Sequence, residues 1–134
     1  RNEQTFTRLQ PGHEAPVYTT WGHASRNALV RVPTISKTHL MGTRVEFRAG
    51  DASGGAHLLC AMILASGLRG IKSSLPLGPE PTLDYDKMKI EDVLATGVEI
   101  LPRSMADARP LFSDEFLLEV VGPRIAELFA AKSC

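Results

Sequence analysis

Three charged residues alternate with apolar ones where the chain reads Thr-Arg-Val-Glu-Phe-Arg, from position 43 to position 48. Such strict alternation predicts a β-strand, whose successive side chains point to opposite faces, so Arg44, Glu46 and Arg48 share one face. Next-but-one residues on a strand lie about 6.6–7 Å apart. The face therefore offers a carboxylate flanked by two guanidinium groups, which suits an anionic ligand or a metal-bound phosphate.

This pattern also has an ordinary structural explanation. A solvated strand face can pair its charges with those of a neighbouring strand, and such surface pairs contribute little to stability. Spacing alone favours this explanation. The choice between the two therefore depends on motifs elsewhere in the chain.

Six short motifs occur in one order along nearly the whole chain. They are Phe6-Thr7-Arg8-Leu9, Pro11-Gly12-His13-Glu14-Ala15-Pro16, Trp21-Gly22 followed by Arg26, Arg31-Val32-Pro33, Arg44-Val45-Glu46-Phe47-Arg48, and Ala65-Ser66-Gly67-Leu68-Arg69-Gly70-Ile71-Lys72. The series closely resembles the C-terminal catalytic region of glutamine synthetases. The resemblance extends through Leu101-Pro102-Arg103-Ser104 to a closing helix near Lys132.

Composition limits the classes of partner and compartment. The 134 residues, one domain's worth of chain, include 15 basic and 15 acidic residues, so no nucleic-acid partner is indicated. Two cysteines, Cys60 and Cys134, make no disulfide framework, and a reducing, cytoplasmic location is expected. The longest apolar run, residues 58–65, is far shorter than the roughly 18–20 residues of a membrane span, so no membrane contact is expected.

The start of the chain suggests a piece of a longer protein. It begins at Arg1 without an initiator methionine and reaches its first motif within a few residues. On this interpretation residues 1–134 are the C-terminal portion of a glutamine synthetase-like catalytic domain. The upstream catalytic half and the N-terminal domain would then be absent from these residues.

Turn residues and alternation predict the elements of the first part of the chain. Residues 10–16 have the Pro-Gly composition of a loop, and strands are expected at 17–21 and 28–32. Pro33 ends the second strand because proline cannot continue a central ladder. Arg8 is expected at the end of an earlier strand.

Helices are expected from Ala56 onward. A buried helix is predicted over residues 56–66, ended by Gly67, and a surface connection over the proline-rich residues 73–82. Capping signals at Ser104 and Ser113 predict helices over 105–109, halted at Pro110, and from 114 to a break at Gly122-Pro123, after which a last amphipathic helix follows. The predicted fold class is α+β, in which antiparallel strands present the arginines and Glu46 and the helices back them.

The resemblance gives Glu14 a catalytic role. Glu14 falls on the flap glutamate that in glutamine synthetases closes over the site and helps take a proton from bound ammonium. Because ammonium is not a nucleophile until a base removes a proton, a carboxylate suits this role. Without the resemblance, a lone glutamate in a Pro-Gly loop is most simply a solvated surface residue.

The resemblance also gives roles to five arginines. Arg8 and Arg48 match arginines that hold the glutamate substrate, whose carboxylates suit a bidentate guanidinium. Arg26 and Arg31 match positions that contact ATP phosphates and support the transition state, and Arg44 matches another nucleotide-side arginine. So many guanidinium groups around one site repel one another unless a polyanion is bound.

Glu46 matches the one metal-binding glutamate that this part of the family supplies. A carboxylate is a suitable ligand for the Mg²⁺ or Mn²⁺ that bridges nucleotide phosphates. One carboxylate cannot hold the ion alone. The resemblance implies that the other ligands come from earlier in the polypeptide.

The implied activity is ATP-dependent ligation of glutamate and ammonia through γ-glutamyl phosphate, by an enzyme that is a homo-oligomer. The 134 residues alone are expected to be inactive. Three alternatives stay open: a ligase that joins glutamate to a polyamine or other amine, a non-catalytic structural relative, and an inactive fragment. The family usually has Asn-Pro-Tyr where this chain has Gly55-Ala56-His57, and this exchange of a rigid helix start for a flexible one supports the structural relative.

Overall fold

The computed structural model describes residues 4–23, 25–35, 40–51, 55–112 and 114–131. The chain forms two compact units. The first unit combines residues 1–51 with 78–103, and the second combines residues 52–77 with 104–134. The predicted α+β class is seen as a small sheet in the first unit and helices in both.

The sheet of the first unit has three short strands in the order β1-β2-β3. These are β1 (Trp21–His23), β2 (Val30–Val32) and β3 (Glu46–Phe47). The expectation of antiparallel strands is only partly right, because β1 and β2 are parallel whereas β2 and β3 are antiparallel. The β2–β3 register places Arg31 opposite Glu46, which brings two of the predicted site residues together across neighbouring strands.

Two strand predictions differ from the structure. The segment predicted as a strand at 17–21 pairs instead with the segment near Ile100, through an isolated bridge at Tyr18, and β1 begins only at Trp21. Arg8 follows a single helical turn, α1 (Gln4–Thr7), so its expected place at the end of a strand was wrong. The turn closes locally, with the Leu9 N–H donating to the Phe6 carbonyl oxygen at 3.2 Å, and needs no partner strand.

A small core fixes the segment that precedes the sheet. Val17, Tyr18 and Val93 are buried together, and partly buried Tyr85, Met88, Val98 and Ile100 pack against them. Val93 lies on the short helix α3 (Ile90–Leu94) and is fully buried. The rings of Tyr18 and Tyr85 meet edge to face, with centroids 5.8 Å apart.

We expect Val93→Ala to lower the free energy of unfolding by about 2 kcal/mol, since it removes two fully buried methyl groups and leaves a void. Chemical denaturation followed by circular dichroism measures the loss. Val45→Ala is the matched control, because Val45 is 66% exposed in the same unit and its truncation should change stability by less than about 0.5 kcal/mol. Equal losses in the two variants would contradict this assignment of the core.

The second unit is helical. Its longest helix, α2 (Ala56–Lys72), runs past Gly67, so the predicted end there was wrong. An interior glycine costs about 1 kcal/mol relative to alanine but does not itself end a helix. The helix ends instead in a Schellman motif: Ser74 takes a left-handed φ of 46°, and the Ser74 and Leu75 N–H groups donate to the Ile71 and Gly70 carbonyl oxygens.

The prediction of a buried helix was also wrong, because none of the described residues of α2 is buried. Its leucines and isoleucines are largely exposed in these 134 residues, as at Ile71, which is 77% exposed. Apolar composition predicts that a segment needs a partner, whereas its burial depends on that partner being present.

The helix starts at Ala56 in spite of the altered Gly55-Ala56-His57 sequence, with Gly55 as an N-cap that makes no side-chain bond.

The remaining helices largely follow their capping signals. Ser104 accepts a hydrogen bond from the Asp107 N–H at 3.1 Å and begins α4 (Met105–Ala108), as predicted, but a 3₁₀ turn (Arg109–Leu111) carries the chain past Pro110, where a halt was expected. Helices α5 (Asp114–Val121) and α6 (Pro123–Ala131) are separated at Gly122, as predicted. Gly122 has a φ of 75°, a left-handed conformation that glycine adopts without steric cost.

Two further predictions about the helices stay untested. The predicted cap at Ser113 lies outside the described residues. That the helices back the strands stays a prediction. Among the described helices, none is long and apolar enough to cross a membrane.

Candidate active site

Glu46 is the centre of the charged group predicted from the sequence. Its carboxylate accepts hydrogen bonds from Arg31 Nη1 at 3.0 Å and from Arg44 Nε at 2.9 Å. Arg48 Nη1 lies 3.7 Å from the same carboxylate. The arrangement follows from the local fold, since Arg31 faces Glu46 across the β2–β3 ladder while Arg44 and Arg48 flank it along the chain. Three guanidinium groups thus converge on one carboxylate.

The electrostatics of this group favour an anionic ligand. Partial burial raises the pKa of the Glu46 carboxyl, but hydrogen bonds and charges from Arg44 and Arg31 outweigh burial, and its pKa lies below its ordinary value. Glu46 is therefore ionised at neutral pH. One negative charge among three positive ones leaves an excess of two positive charges at the cluster, which a phosphate or carboxylate ligand would offset.

Arg31 has an unmet donor inside this cluster. Its Nε atom is buried and has no hydrogen-bond partner among the described residues. Leaving a buried donor unsatisfied costs about 1–3 kcal/mol, more for a charged group. A ligand oxygen at this position would remove that cost, so the observation points the same way as the excess charge.

Arg48 connects the Glu46 cluster to two other predicted residues through the backbone. Its Nη2 donates to the Glu14 carbonyl oxygen and its Nε to the Arg26 carbonyl oxygen, both at 2.8 Å. Arg8 Nη2 in turn donates to the carbonyl oxygens of Arg48 and Gly50, at 3.0 and 3.1 Å. The bond to Glu14 fastens the loop that carries it to the residue after β3. The other three tie the Arg26 segment and Arg8 to the same part of the chain.

Glu14 itself is held in an unusual conformation. Its φ of 49° lies in the left-handed region, which non-glycine residues seldom occupy. The Glu14 carboxylate pairs with Arg26, with Oε2 and Nη1 2.8 Å apart, and this hydrogen bond and the nearby negative charge raise the pKa of Arg26. Both side chains are about two-thirds exposed, so the pair contributes little to stability and can exchange for a ligand.

The structure thus brings the seven predicted site residues into one connected group. Side-chain contacts join Arg31, Arg44 and Arg48 to Glu46 and, separately, Glu14 to Arg26. Arg48 links the two sets through the Glu14 and Arg26 carbonyl oxygens, and Arg8 joins them through the Arg48 carbonyl oxygen. The connection through carbonyl oxygens could not be predicted, because sequence patterns give no signal for a side chain that binds a distant backbone. The functional roles assigned to these residues stay predictions.

The metal ligand set is incomplete in the described part of the chain. The arginine cluster consists of Glu46 with Arg31, Arg44 and Arg48, and Glu46 is its one carboxylate. Both oxygens of Glu46 already accept hydrogen bonds from arginines. Among the described residues there is no group of three or more histidine, cysteine, aspartate or glutamate side chains that could hold a metal ion. A magnesium site needs several oxygen ligands, so these residues do not form one by themselves.

Comparison with known proteins places this geometry in context. A family model described as the catalytic domain of glutamine synthetase matches residues 2–133. The glutamine synthetase of Mycobacterium tuberculosis is 35% identical over 126 residues, 93% of this chain and 28% of the relative. That of Methanocaldococcus jannaschii is 38% identical over 125 residues, 92% of the chain and 27% of the relative. The chain spans little more than a quarter of the length of these relatives.

Proposed function

Because the chain belongs to the glutamine synthetase family, we propose that it forms part of an ATP-dependent glutamate–ammonia ligase. In that reaction ATP phosphorylates the γ-carboxylate of glutamate, and ammonia then displaces phosphate from the γ-glutamyl phosphate to give glutamine. The observation that carries the proposal is the cluster around Glu46, where positive charge is in excess and a buried Arg31 donor lacks a partner.

The nucleotide side of the site would use Arg26, Arg31 and Arg44. Phosphoryl transfer spreads charge over the phosphate oxygens, and fixed guanidinium groups stabilise that charge without moving. Arg31 is the best placed for this, since β2 fixes its backbone and its side chain is only 22% exposed. Arg26 is exposed and already paired with Glu14, so it would exchange that partner for a phosphate oxygen.

The glutamate side of the site would use Arg8 and Arg48. Each of them binds carbonyl oxygens in the present structure, but a guanidinium has five N–H donors, and two bonds leave donors for a carboxylate. The backbone contacts would then orient these arginines for a bidentate interaction with the substrate.

Glu14 would act on ammonium. Its carboxylate attracts the cation, accepts a proton from it, and so generates the ammonia nucleophile. Before the substrate arrives this carboxylate is paired with Arg26, and it would be released when Arg26 exchanges it for a phosphate oxygen. The positive φ of Glu14 turns the backbone at this residue, which sets the direction in which the side chain leaves the loop.

Glu46 would contribute one carboxylate to Mg²⁺ or Mn²⁺, which supplies neutralising charge to the phosphates of ATP when bound. To do so it would give up at least one of its arginine partners. The other metal ligands would come from a part of the protein outside these 134 residues. A neighbouring subunit of a homo-oligomer would complete the site. A cytoplasmic location is part of the same proposal.

The test compares these 134 residues with a longer protein that carries them, each given glutamate, ATP, Mg²⁺ and ammonia. We expect no glutamine above the blank from the 134 residues, because half a site cannot position metal and phosphate. The longer protein should make glutamine and release phosphate in equal amounts.

Each departure from this result has a distinct meaning. Glutamine from the 134 residues alone would contradict the need for the rest of the site. If the longer protein uses a polyamine or other amine but not ammonia, the amine-ligase alternative holds. Failure with every amine would identify a non-catalytic relative.

A further inference from the structure

A half-open cleft of about 340 Å³ lies in the first unit, separate from the arginine cluster. One wall comes from residues 18–23 and 25–28, which include β1, and the other from residues 80–85. None of the seven candidate active-site residues is among its lining residues. The volume falls within the range of about 300–1,000 Å³ that is typical of small-molecule sites.

Hydrogen bonds hold the two walls together across a long separation in sequence. The Trp21 indole N–H donates to the Gly78 carbonyl oxygen at 2.8 Å. The Glu80 carboxylate accepts a hydrogen bond from the His23 backbone N–H and lies 2.9 Å from His23 Nδ1. Glu80 also approaches Gly22 so closely that a Cβ there would lie 3.2 Å from its Oε1. The carboxylate is thus fixed in place without a ligand.

The charge of the cleft is negative. The backbone N–H of His23 and then its ring lower the pKa of Glu80, against the opposing effect of burial, so Glu80 is ionised at neutral pH. Asp84 adds a second carboxylate, which is paired with Lys87 at 2.7 Å. Among the described residues that line the cleft there is no lysine or arginine.

Aromatic rings line the same cleft. Trp21, Tyr18 and Tyr85 all contribute to its walls, and Trp21 is held by its bond to Gly78. Cations bind favourably over the faces of tryptophan and tyrosine rings, most strongly where water is partly excluded. A fixed carboxylate beside aromatic rings recognises an organic cation with an apolar stem.

We propose that this cleft binds a small alkylammonium compound, with the ammonium group at Glu80 and the alkyl part against Trp21. The proposal does not rest on the ligase function. It needs neither ATP nor the arginine cluster, so the two can fail independently.

The chain carries a single tryptophan, which makes Trp21 a reporter of this cleft. The experiment titrates the full chain with n-butylammonium chloride at pH 8 and constant ionic strength. Tryptophan emission and the broadening of the butylammonium proton signals are both followed. We expect a saturable response to butylammonium and none to 1-butanol, which has the same number of heavy atoms and no charge.

Variants locate the site. Glu80→Gln removes the charge but keeps an oxygen that can accept from the His23 N–H, and should raise the dissociation constant at least about tenfold. Thr82→Lys places a cation on the exposed part of the wall, without touching the contacts between His23 and Glu80, and should abolish binding. Glu91→Gln, on the exposed surface of α3, is the matched control and should leave the affinity unchanged.

Circular dichroism establishes whether each variant is folded. If Glu80→Gln does not fold, Thr82→Lys still tests the proposal. The proposal is overturned if neither signal saturates with butylammonium, or if 1-butanol gives the same response. It is also overturned if Glu80→Gln and Thr82→Lys bind as tightly as the parent chain.

Discussion

Replacing Glu14 by alanine in the longer protein that carries these residues is expected to lower glutamine formation by about 10²–10⁴-fold, the usual contribution of a general base. ATP binding and formation of the acyl phosphate should survive, because neither step needs a proton to be taken from ammonium. The loop should keep its conformation, since alanine meets the same steric cost as glutamate at a φ of 49°. Glutamine formation and phosphate release are measured separately.

Hydroxylamine distinguishes a base from a loop residue. It is neutral at pH 7 and needs less help than ammonium, so formation of glutamyl hydroxamate should fall much less than formation of glutamine. His13→Ala is the matched control, because His13 is exposed in the same loop and has no assigned role. Equal losses with both nucleophiles would place Glu14 in loop closure. No loss with either would leave it as a solvated surface residue.

Arg48→Ala should also cripple turnover, with a loss on the order of 2–4 kcal/mol of transition-state stabilisation, the contribution of a buried guanidinium fork to a charged ligand. The overall fold should remain. The Glu14 and Arg26 carbonyl oxygens, which Arg48 binds at 2.8 Å, would lose their donor, so the effect should include a less ordered Glu14 loop.

Arg48→Lys should not rescue activity, because an ammonium group is a point charge and cannot serve two carbonyl oxygens and a carboxylate in one plane. The kcat/KM values of both variants are compared with that of Arg124→Ala, which removes an exposed arginine of α6. A near-normal kcat/KM in Arg48→Ala would show that the site is misplaced.

The sequence predicted the membership of the charged cluster better than its backbone. Alternation indicated that Arg44, Glu46 and Arg48 share a face, and the structure joins Arg44 and Arg48 to Glu46, although β3 comprises only Glu46–Phe47. The side-chain grouping needs only a locally extended chain. The length of β3 depends on its partner strand β2. How β2 pairs with β1 could not be predicted from the sequence.

Other features could not have been predicted from local patterns. Glu80 meets His23 57 positions away, and nothing in the spacing of either residue indicates that contact. The end of α2 depends on Ser74, a residue type that seldom adopts a left-handed conformation, whereas the expected stop at Gly67 followed the usual preference of glycine. The Ser74 conformation is one that local propensity does not favour, and the Glu80–His23 contact joins residues too far apart in the sequence for a local pattern to reveal.

The position of Arg48 has a consequence for the order of events at the site. One guanidinium group is shared between the carbonyl oxygen of Glu14, that of Arg26 and the edge of the Glu46 carboxylate. A ligand that draws Arg48 toward itself weakens its hold on the Glu14 loop, and by thermodynamic reciprocity the state of that loop changes the affinity for the ligand by the same factor. Binding of such a ligand at the Glu46 cluster and the freedom of the Glu14 loop would then be energetically coupled through a single side chain.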